Sequence, residues 1–306
     1  MSSKAPGRLC PIRYRYGPLR IANVSEVPCN ALYVVGGLYG NPFALDVIEQ
    51  MAMQENDRVR ICFNGDFNWF NTEPALFARI NERVLKHDCV LGNVEAELAE
   101  PLDTPDCGCA YPEHVDQGVV DRSNLIHTAL KEVAQAHRDL LEALLQKPYY
   151  ARYKVGNVRV GVVHGDAESL SGWGFDPEHL NNPEEAKWRQ SMFATARVDV
   201  FASSHTCTAA LHKEPLTGGK WGVISNNGAA GMPSAPGSLD GLVTRVAIKP
   251  FPNDALVYRR EAMPGGYVEQ VRVQIPQVEW VHHFLQQWPQ GSAAYTSYFK
   301  RITKGV

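Results

Sequence analysis

Four polar side chains that can bind a metal ion follow short apolar runs of the kind that form β-strands. They are Asp66 in "CFNGDF", Asn93 in "VLGNVE", His164 in "GVVHGD" and His205 in "FASSHT". Each alone fits a turn or a hydrogen-bonded strand end, but the ends of strands in an open α/β sheet line one crevice. A carboxylate, an amide oxygen and two imidazoles suit Mn, Fe or Zn. The pattern therefore predicts a site for a divalent transition metal ion.

The elements that must position these residues alternate between strand-like and helical patterns. From Ala31 the sequence predicts strands at "ALYVV", "RVRICF" and "DCVLG", separated by helices near 42–54 and 73–86. This alternation is typical of βαβ units in a mainly parallel sheet covered by helices. The second half is richer in strand patterns such as "VRVGVVHG", "VDVFASSH" and "KWGVISNN". The fold class is therefore α/β.

Two further segments frame this region. Apolar residues at helical spacing from Ile126 to Leu144 predict one long helix that Pro148 ends. Residues 1–30, which include Pro11, Pro18 and Pro28, are predicted to form an irregular extension ahead of a single domain at 31–306.

Composition is that of an ordinary globular protein. The chain has 306 residues, of which 44% are hydrophobic and 21% charged, so it can bury a sizeable core. A net charge of −3 offers no broad basic surface for long nucleic acids. No segment approaches the ~18 uninterrupted apolar residues of a membrane helix, and the seven scattered cysteines favour reduced thiols. We therefore expect a cytoplasmic protein without a membrane partner.

Five ordered blocks resemble the calcineurin-like metallophosphoesterases. The family pattern runs Asp-x-His, Gly-Asp-x-x-Asp, Gly-Asn-His-Asp/Glu, a His often followed by Gly, and Gly-His-x-His. Here the blocks are "GLYGN", "GDFNW", "GNVE", "VVHGD" and "SHTC", and "SNNGAAGMP" is similar to a segment of the branch near bacterial diadenosine tetraphosphatases and small phosphodiesterases. The resemblance implies a four-layer α/β/β/α sandwich with a helical cap inserted at about 97–150. It also implies a metal-dependent hydrolase of a small phosphorylated or nucleotide-like molecule.

The matched positions imply one complete metal site and one stripped site. The ligand positions of the family's second metal hold Asp66, Asn93, His164 and His205. Other positions of the first metal hold Gly37, Tyr39 and Cys207, and Val94 replaces the histidine that protonates the leaving group or binds the phosphate. The resemblance thus implies a mononuclear site with about one metal ion per chain. Cys207 is a further candidate ligand because thiolates bind Zn and Fe.

Substrate contacts and a replacement proton donor are also expected near this site. Candidate contacts are Tyr39, Asn41, the backbone near Gly228, Arg13, Arg15 and Arg122. Candidate proton donors are Tyr39, His114 and His127. If the N-terminal extension is only a surface strap, its two arginines have no role in binding.

Two other functions fit the same residues. The lost ligands also suit a catalytically degenerate regulator that binds a metal ion or a nucleotide. Alternatively, Cys207 with Cys107 or Cys109 of the insert "PDCGCAYPEHVDQ" would form a thiol metal site or a redox pair. Metal analysis together with a phosphatase and phosphodiesterase screen distinguishes these hypotheses.

Overall fold

Two six-stranded sheets face each other at the centre of the molecule. The computed structural model describes residues 6–55, 58–103 and 106–306. Apolar side chains from both sheets, such as Val34, Val160 and Val246, form the core between them. Helices pack on both outer faces of the sheets. The predicted four-layer α/β/β/α sandwich is therefore confirmed.

The strands divide between the sheets so that several carboxyl ends meet. In chain order they are β1 (Val27–Cys29), β2 (Ala31–Val35), β3 (Val59–Asn64), β4 (Asp88–Val90), β5 (Tyr150–Val155), β6 (Val158–Val163), β7 (Val200–Ser203), β8 (Ala210–Pro215), β9 (Trp221–Asn226), β10 (Gly241–Ala247), β11 (Val257–Met263) and β12 (Gly266–Val273). One sheet has the order β11, β12, β10, β2, β3, β4, and the other has β1, β5, β6, β7, β9, β8. Strands β2, β3 and β4 are parallel, as are β6, β7 and β9. Loops from both parallel sets can therefore contribute to one crevice.

The helices cover the two sheets, and α5 and α6 lie within the segment at about 97–150 that is predicted to form a cap, called the cap segment here. In chain order they are α1 (Pro18–Ala22), α2 (Pro42–Met53), α3 (Pro74–Val84), α4 (Asn93–Ala96), α5 (Gln117–Ala136), α6 (Arg138–Leu145), α7 (Pro177–Asn181), α8 (Ala186–Ala196), α9 (Gln277–Gln287) and α10 (Ala293–Lys304). Short 3-10 turns occur at Ile12–Tyr14, Pro183–Glu185, Thr217–Gly219 and Asp254–Leu256. None of the helices in the described ranges is long and apolar enough to cross a bilayer.

The cap segment contains two helices where the sequence predicts one. Helix α5 ends before His137, whose backbone angles (φ −118, ψ 59) are not helical, and α6 begins directly after it. The His137 ring stacks on Phe77 with 5.5 Å between ring centroids. The prediction of one helix from Ile126 to Leu144 is therefore wrong. The apolar spacing continues through His137 and therefore gives no sign of the break, because tertiary packing can override local helix preference.

The N-terminal extension is more regular than the sequence predicts. It contains a 3-10 turn, α1 and β1, and β1 adds a parallel edge strand beside β5. Tyr14 and Ile21 are fully buried. Pro18 stands at the start of α1 and Pro28 in an edge strand, where a missing N–H is tolerated. These two prolines are therefore compatible with regular structure in the extension.

A close backbone approach at Gly36 fixes the loop after β2 against the loop after β7. A Cβ atom at this position would lie 2.1 Å from Ser204 Cβ and 2.6 Å from Asn64 Oδ1.

We expect Gly36→Ala to lower the free energy of unfolding by about 3 kcal/mol, because the loops must separate. Urea denaturation measures this change. The control is Gly118→Ala, where the nearest atoms, at 3.0 Å or more, belong to flexible polar side chains; an equal loss there would contradict the steric explanation.

Candidate metal centre

The four predicted ligands meet beyond the carboxyl ends of β3, β4, β6 and β7. His164 Nε2 lies 3.3 Å from Asp66 Oδ1, 3.0 Å from Asn93 Oδ1 and 3.1 Å from His205 Nδ1. Ligand atoms held ~2.1 Å from one ion are spaced about 3 Å apart. The side chains therefore already have the spacing of a ligand set.

Backbone carbonyl groups orient both imidazole rings. His164 Nδ1 lies 2.8 Å from the Asn64 carbonyl oxygen, and His205 Nε2 lies 3.0 Å from the Cys109 carbonyl oxygen. Because a carbonyl oxygen only accepts hydrogen bonds, these two nitrogens carry the ring protons. The opposite nitrogens, His164 Nε2 and His205 Nδ1, therefore direct lone pairs toward the centre.

The amide of Asn93 is oriented in the same way. Its Nδ2 donates to the Cys107 carbonyl oxygen at 2.8 Å and to Cys109 Sγ at 3.3 Å, so Oδ1 faces the centre. With both imidazoles neutral and their ring protons on the outer nitrogens, these atoms and the Asp66 carboxylate are four lone-pair donors around one centre. Such groups repel one another unless a cation lies between them. The donor set therefore fits a divalent metal ion.

The electrostatics of the buried side chains agree with this fit. Burial would lower the pKa of His164, but the Asp66 carboxylate outweighs burial and raises that pKa above its usual value. Burial, with His164 nearby, lowers the pKa of His205 to about 3. Burial would raise the pKa of Asp66, yet His164 keeps it below its usual value. The Asp66 carboxylate and the His164 imidazole thus favour each other's charged form, as expected where a carboxylate faces a positive charge.

Glu95 supports Asp66 from behind and was not identified from the sequence. Its Oε2 accepts hydrogen bonds from the backbone N–H groups of Asp66, at 2.8 Å, and Gly92, at 3.3 Å. Burial and the negative charge of Asp66 raise the pKa of Glu95 to about 7. Its place at the end of the block "GNVE" was the only signal in the sequence. Glu95 positions the turn that presents the Asp66 carboxylate.

Strained backbone conformations concentrate around the centre. Tyr39, Asp66, Ala110 and Cys207 have φ angles of 51 to 57°, and Arg197 is the other non-glycine residue with positive φ in the described ranges. The left-handed region costs a residue other than glycine ~1 to 2 kcal/mol. Such strain clusters at functional sites, where the surrounding structure maintains it. The loops around the ligand set therefore have the backbone character of a functional site.

The ligand set opens into a narrow cavity of about 130 Å³ with mainly aromatic walls. The cavity is lined by Tyr39, Asp66, Trp69, Val94, Cys109, Tyr111, Trp173, His205, Thr206, Cys207 and Tyr298. Five of these side chains are Tyr or Trp, and none is Lys or Arg. Pockets for drug-sized ligands are roughly 300–1,000 Å³. This cavity therefore admits only a small chemical group.

Comparison with known proteins identifies the fold. No family model and no curated protein sequence matches the chain. A metallophosphoesterase structure from Sphaerobacter thermophilus is 15% identical, has a TM-score of 0.56, and covers 91% of this chain and 100% of its own. A hypothetical protein from Pyrococcus horikoshii OT3 is 12% identical, with a TM-score of 0.59 and coverage of 88% and 97%. The chain has the metallophosphoesterase fold. The resemblance predicted from the five blocks is thus confirmed at the level of the fold.

The positions that the sequence resemblance assigns to a first metal contain a tyrosine–cysteine pair. The Tyr39 hydroxyl and Cys207 Sγ are 2.8 Å apart. Among the described His, Cys, Asp and Glu side chains, the group close enough to share an ion is Asp66, His164 and His205, without a cysteine. A Cβ at Gly37 would lie 3.0 Å from the Tyr39 ring, at a φ of +62° that disfavours side chains. This geometry offers ligands for one ion.

Two predicted substrate contacts on loops have other partners. Asn41 caps α2 by accepting a hydrogen bond from the Ala44 N–H, and its Nδ2 donates to the Gly231 carbonyl oxygen at 2.8 Å. The Gly228 N–H donates to Asn226 Oδ1 at 3.0 Å. Neither Asn41 nor Gly228 lines the cavity. Tyr39 is the predicted substrate contact that does.

The three predicted arginines lie outside the cavity. Arg13 forms ion pairs with Glu97 and Glu100. Arg122 donates from Nε to Ser297 Oγ at 2.8 Å. Arg15 is exposed and lines a separate, wider groove.

One of the three candidate proton donors lines the cavity, and the other two lie outside it. His127 is fully buried, with Nε2 2.9 Å from the Val94 carbonyl oxygen, and burial lowers its pKa to about 4. His114 is exposed on the cap loop. Neither lines the cavity, whereas Tyr39 does. Sequence reasoning missed Tyr111, Trp173 and Tyr298 as lining residues because they lie in segments without a recognisable motif.

Removal of the two imidazoles should remove the metal. We expect His164→Ala with His205→Ala to lower the affinity for Mn²⁺ or Zn²⁺ by more than ~100-fold, because loss of a group behind a ligand already costs 10- to 100-fold. Equilibrium dialysis followed by elemental analysis measures the bound ion. The control is His282→Ala, an exposed histidine on α9. Full retention of metal by the double variant would disprove the ligand assignment.

Proposed function

We propose that the protein is a mononuclear metal-dependent phosphoesterase that binds one Mn, Fe or Zn ion and hydrolyses a small phosphorylated molecule. The observation that supports this most is the convergence of four lone-pair donors on one point at the edge of a narrow cavity. Asp66, Asn93, His164 and His205 would hold the ion. When bound, the ion supplies Lewis-acid stabilisation of the charge that develops on the phosphoryl oxygens.

The charges around the cavity favour a substrate with one negative charge. A divalent ion with Asp66 leaves one positive charge, and no Lys or Arg is among the described residues that line the cavity. Outside the lining, Arg301 donates to the Cys207 carbonyl oxygen and Glu95 accepts a hydrogen bond from the Asp66 N–H, so the groups next to the lining include both a cation and a carboxyl group. A phosphomonoester carries about −1.5 to −2 at pH 7, whereas a diester carries one negative charge. Burying unbalanced charge is unfavourable, so a diester fits better.

Among the three predicted proton donors, Tyr39 is the one placed to protonate the leaving group in place of the absent histidine. It lines the cavity, and its hydroxyl contacts Cys207 Sγ. Burial, followed by the neighbouring Cys207, raises the pKa of Tyr39 well above its usual value, so the phenol keeps its proton near neutral pH. A neutral phenol can donate this proton as a leaving oxygen gains negative charge.

The charge argument gives a direct test of substrate class. With one equivalent of Mn²⁺ bound, we expect kcat/KM for bis(p-nitrophenyl) phosphate to exceed that for p-nitrophenyl phosphate by at least ~10-fold at pH 7.5. The reason is that the bound monoester would leave about one negative charge unpaired in the cavity, whereas the diester would leave none. Both substrates release p-nitrophenolate, so a single absorbance assay compares them. A monoester rate equal to or above the diester rate would contradict the charge argument. Metal-loaded protein that hydrolyses neither ester would favour the regulator hypothesis.

The role of Tyr39 has its own signature in the dependence of rate on the leaving group. We expect Tyr39→Phe to slow hydrolysis of methyl p-nitrophenyl phosphate little, and that of methyl phenyl phosphate by about 10²-fold, because only the poorer leaving group needs a proton. Steady-state kinetics on the two diesters measures this. The control, Tyr298→Phe, removes another hydroxyl from the same cavity and should slow both diesters alike. If Tyr39→Phe also slows both alike, Tyr39 is not the proton donor.

A further inference from the structure

A wide groove of about 950 Å³ adjoins the metal cavity. One wall consists of residues 8–10 and 15–17 of the N-terminal extension. The remaining wall comes from residues 110–113 of the cap loop and residues between 166 and 172 of the loop after His164. The groove is therefore built largely from segments outside the five sequence blocks.

The groove and the metal cavity share a wall. Tyr111 lines both, and its neighbours Ala110 and Cys109 line the groove and the cavity respectively. Gly172 of the groove likewise precedes Trp173 of the cavity. The Tyr111 and Trp173 rings have centroids 6.0 Å apart. A molecule that occupied both spaces would pass beside the Tyr111 ring.

Hydrogen bonds hold the walls of the groove in place. The Tyr16 N–H donates to the Glu168 carbonyl oxygen at 3.0 Å. Arg8 Nη1 donates to the Pro112 carbonyl oxygen at 2.6 Å, and the Tyr111 N–H donates to the carbonyl oxygen of Gly7 at 2.9 Å. A binding site whose walls are already fixed loses little entropy when a ligand binds.

The polar side chains of the groove indicate the chemistry of its ligand. Arg15 and Glu113 are exposed, and neither side chain makes a hydrogen bond or ion pair with any residue in the described ranges. Glu168 is also exposed, and its carboxylate accepts one hydrogen bond from Trp188 Nε1. Carboxylates of this kind accept hydrogen bonds from hydroxyl groups, and a guanidinium donates them. The lining has two guanidinium groups and three carboxyl groups, those of Arg8, Arg15, Glu113, Asp166 and Glu168. The excess of acidic groups disfavours a polyanion, and the charges disfavour a lipid chain.

We propose that the groove binds a neutral, hydroxyl-rich ester arm, a sugar or a ribonucleoside, of a phosphodiester whose phosphate group enters the metal cavity. This inference rests on the proposed function. It explains why the cavity beside the metal ligands is too small for a whole diester while a larger space adjoins it. Arg15 and Glu113 bind the hydroxyl groups, and the Tyr16 and Tyr111 rings offer apolar faces.

Diesters that share a leaving group test this assignment. The probes are p-nitrophenyl esters of uridine 5′-phosphate, glucose 6-phosphate and ethyl phosphate, so only the arm differs. We expect kcat/KM for the uridine or the glucose ester to exceed that for the ethyl ester by at least ~10-fold, the effect of one hydrogen bond to a charged group. Which of the two is preferred identifies the arm. Equal values for all three esters would overturn the proposal.

A groove variant and a matched control complete the test. Arg15→Ala with Glu113→Gln should reduce the preference for the hydroxyl-rich ester to about one. Arg20→Ala removes an exposed arginine of α1 outside the groove and should leave the preference unchanged. A preference that survives the double variant would place the arm elsewhere.

Binding measurements separate failure of the groove assignment from failure of the proposed function. If no ester is hydrolysed, uridine and glucose are titrated into the full chain and into the double variant by NMR. Binding to the native chain that the double variant loses supports the groove even if the protein is not a hydrolase. Absence of binding of both compounds to the native chain overturns the proposal.

Discussion

Mutual repulsion among four lone-pair donors is the constraint on which the rest of the site depends. Left alone, Asp66, Asn93, His164 and His205 would turn away from one another. They are held together because each is fixed on its far side by a backbone carbonyl group, or in the case of Asp66 by a turn that Glu95 supports. These anchors lie at the end of β3, in α4 and in the loop that carries Cys107 and Cys109. The fold therefore maintains an arrangement of donors that a bound cation would stabilise.

The N-terminal extension participates in this arrangement from a distance. Arg8 and Gly7 bind the cap loop that also carries Cys107 and Cys109. The carbonyl groups of those two cysteines orient Asn93 and His205. A segment that resembles a surface strap in the sequence is thus connected to the ligands by a short series of hydrogen bonds. The extension thus contacts, through Arg8 and Gly7, the same loop that orients two of the candidate ligands.

Sequence reasoning was most successful where the signal is local. Strand patterns followed by polar residues predicted the βαβ region and the convergence of Asp66, Asn93, His164 and His205, because strand ends meet at one edge. It failed where distant packing decides. The break at His137 coincides with a ring contact with the distant Phe77, and the aromatic walls, including Tyr298 of α10, come from separate segments. The role of Glu95 required the conformation of the turn at Asp66, which no residue pattern specifies.

Main-chain hydrogen bonds keep the shape of the loops around the ligands. The Tyr39 N–H donates to the Asp66 carbonyl oxygen at 3.1 Å, the Gly37 N–H to Gly65 at 3.1 Å, and the Cys207 N–H to Ser204 at 2.9 Å. Such bonds do not depend on which side chains the loops carry. Different side chains at positions 39 and 207 are therefore compatible with the same backbone path. The chemistry of the cavity wall can change at these positions while the four candidate ligands stay where they are.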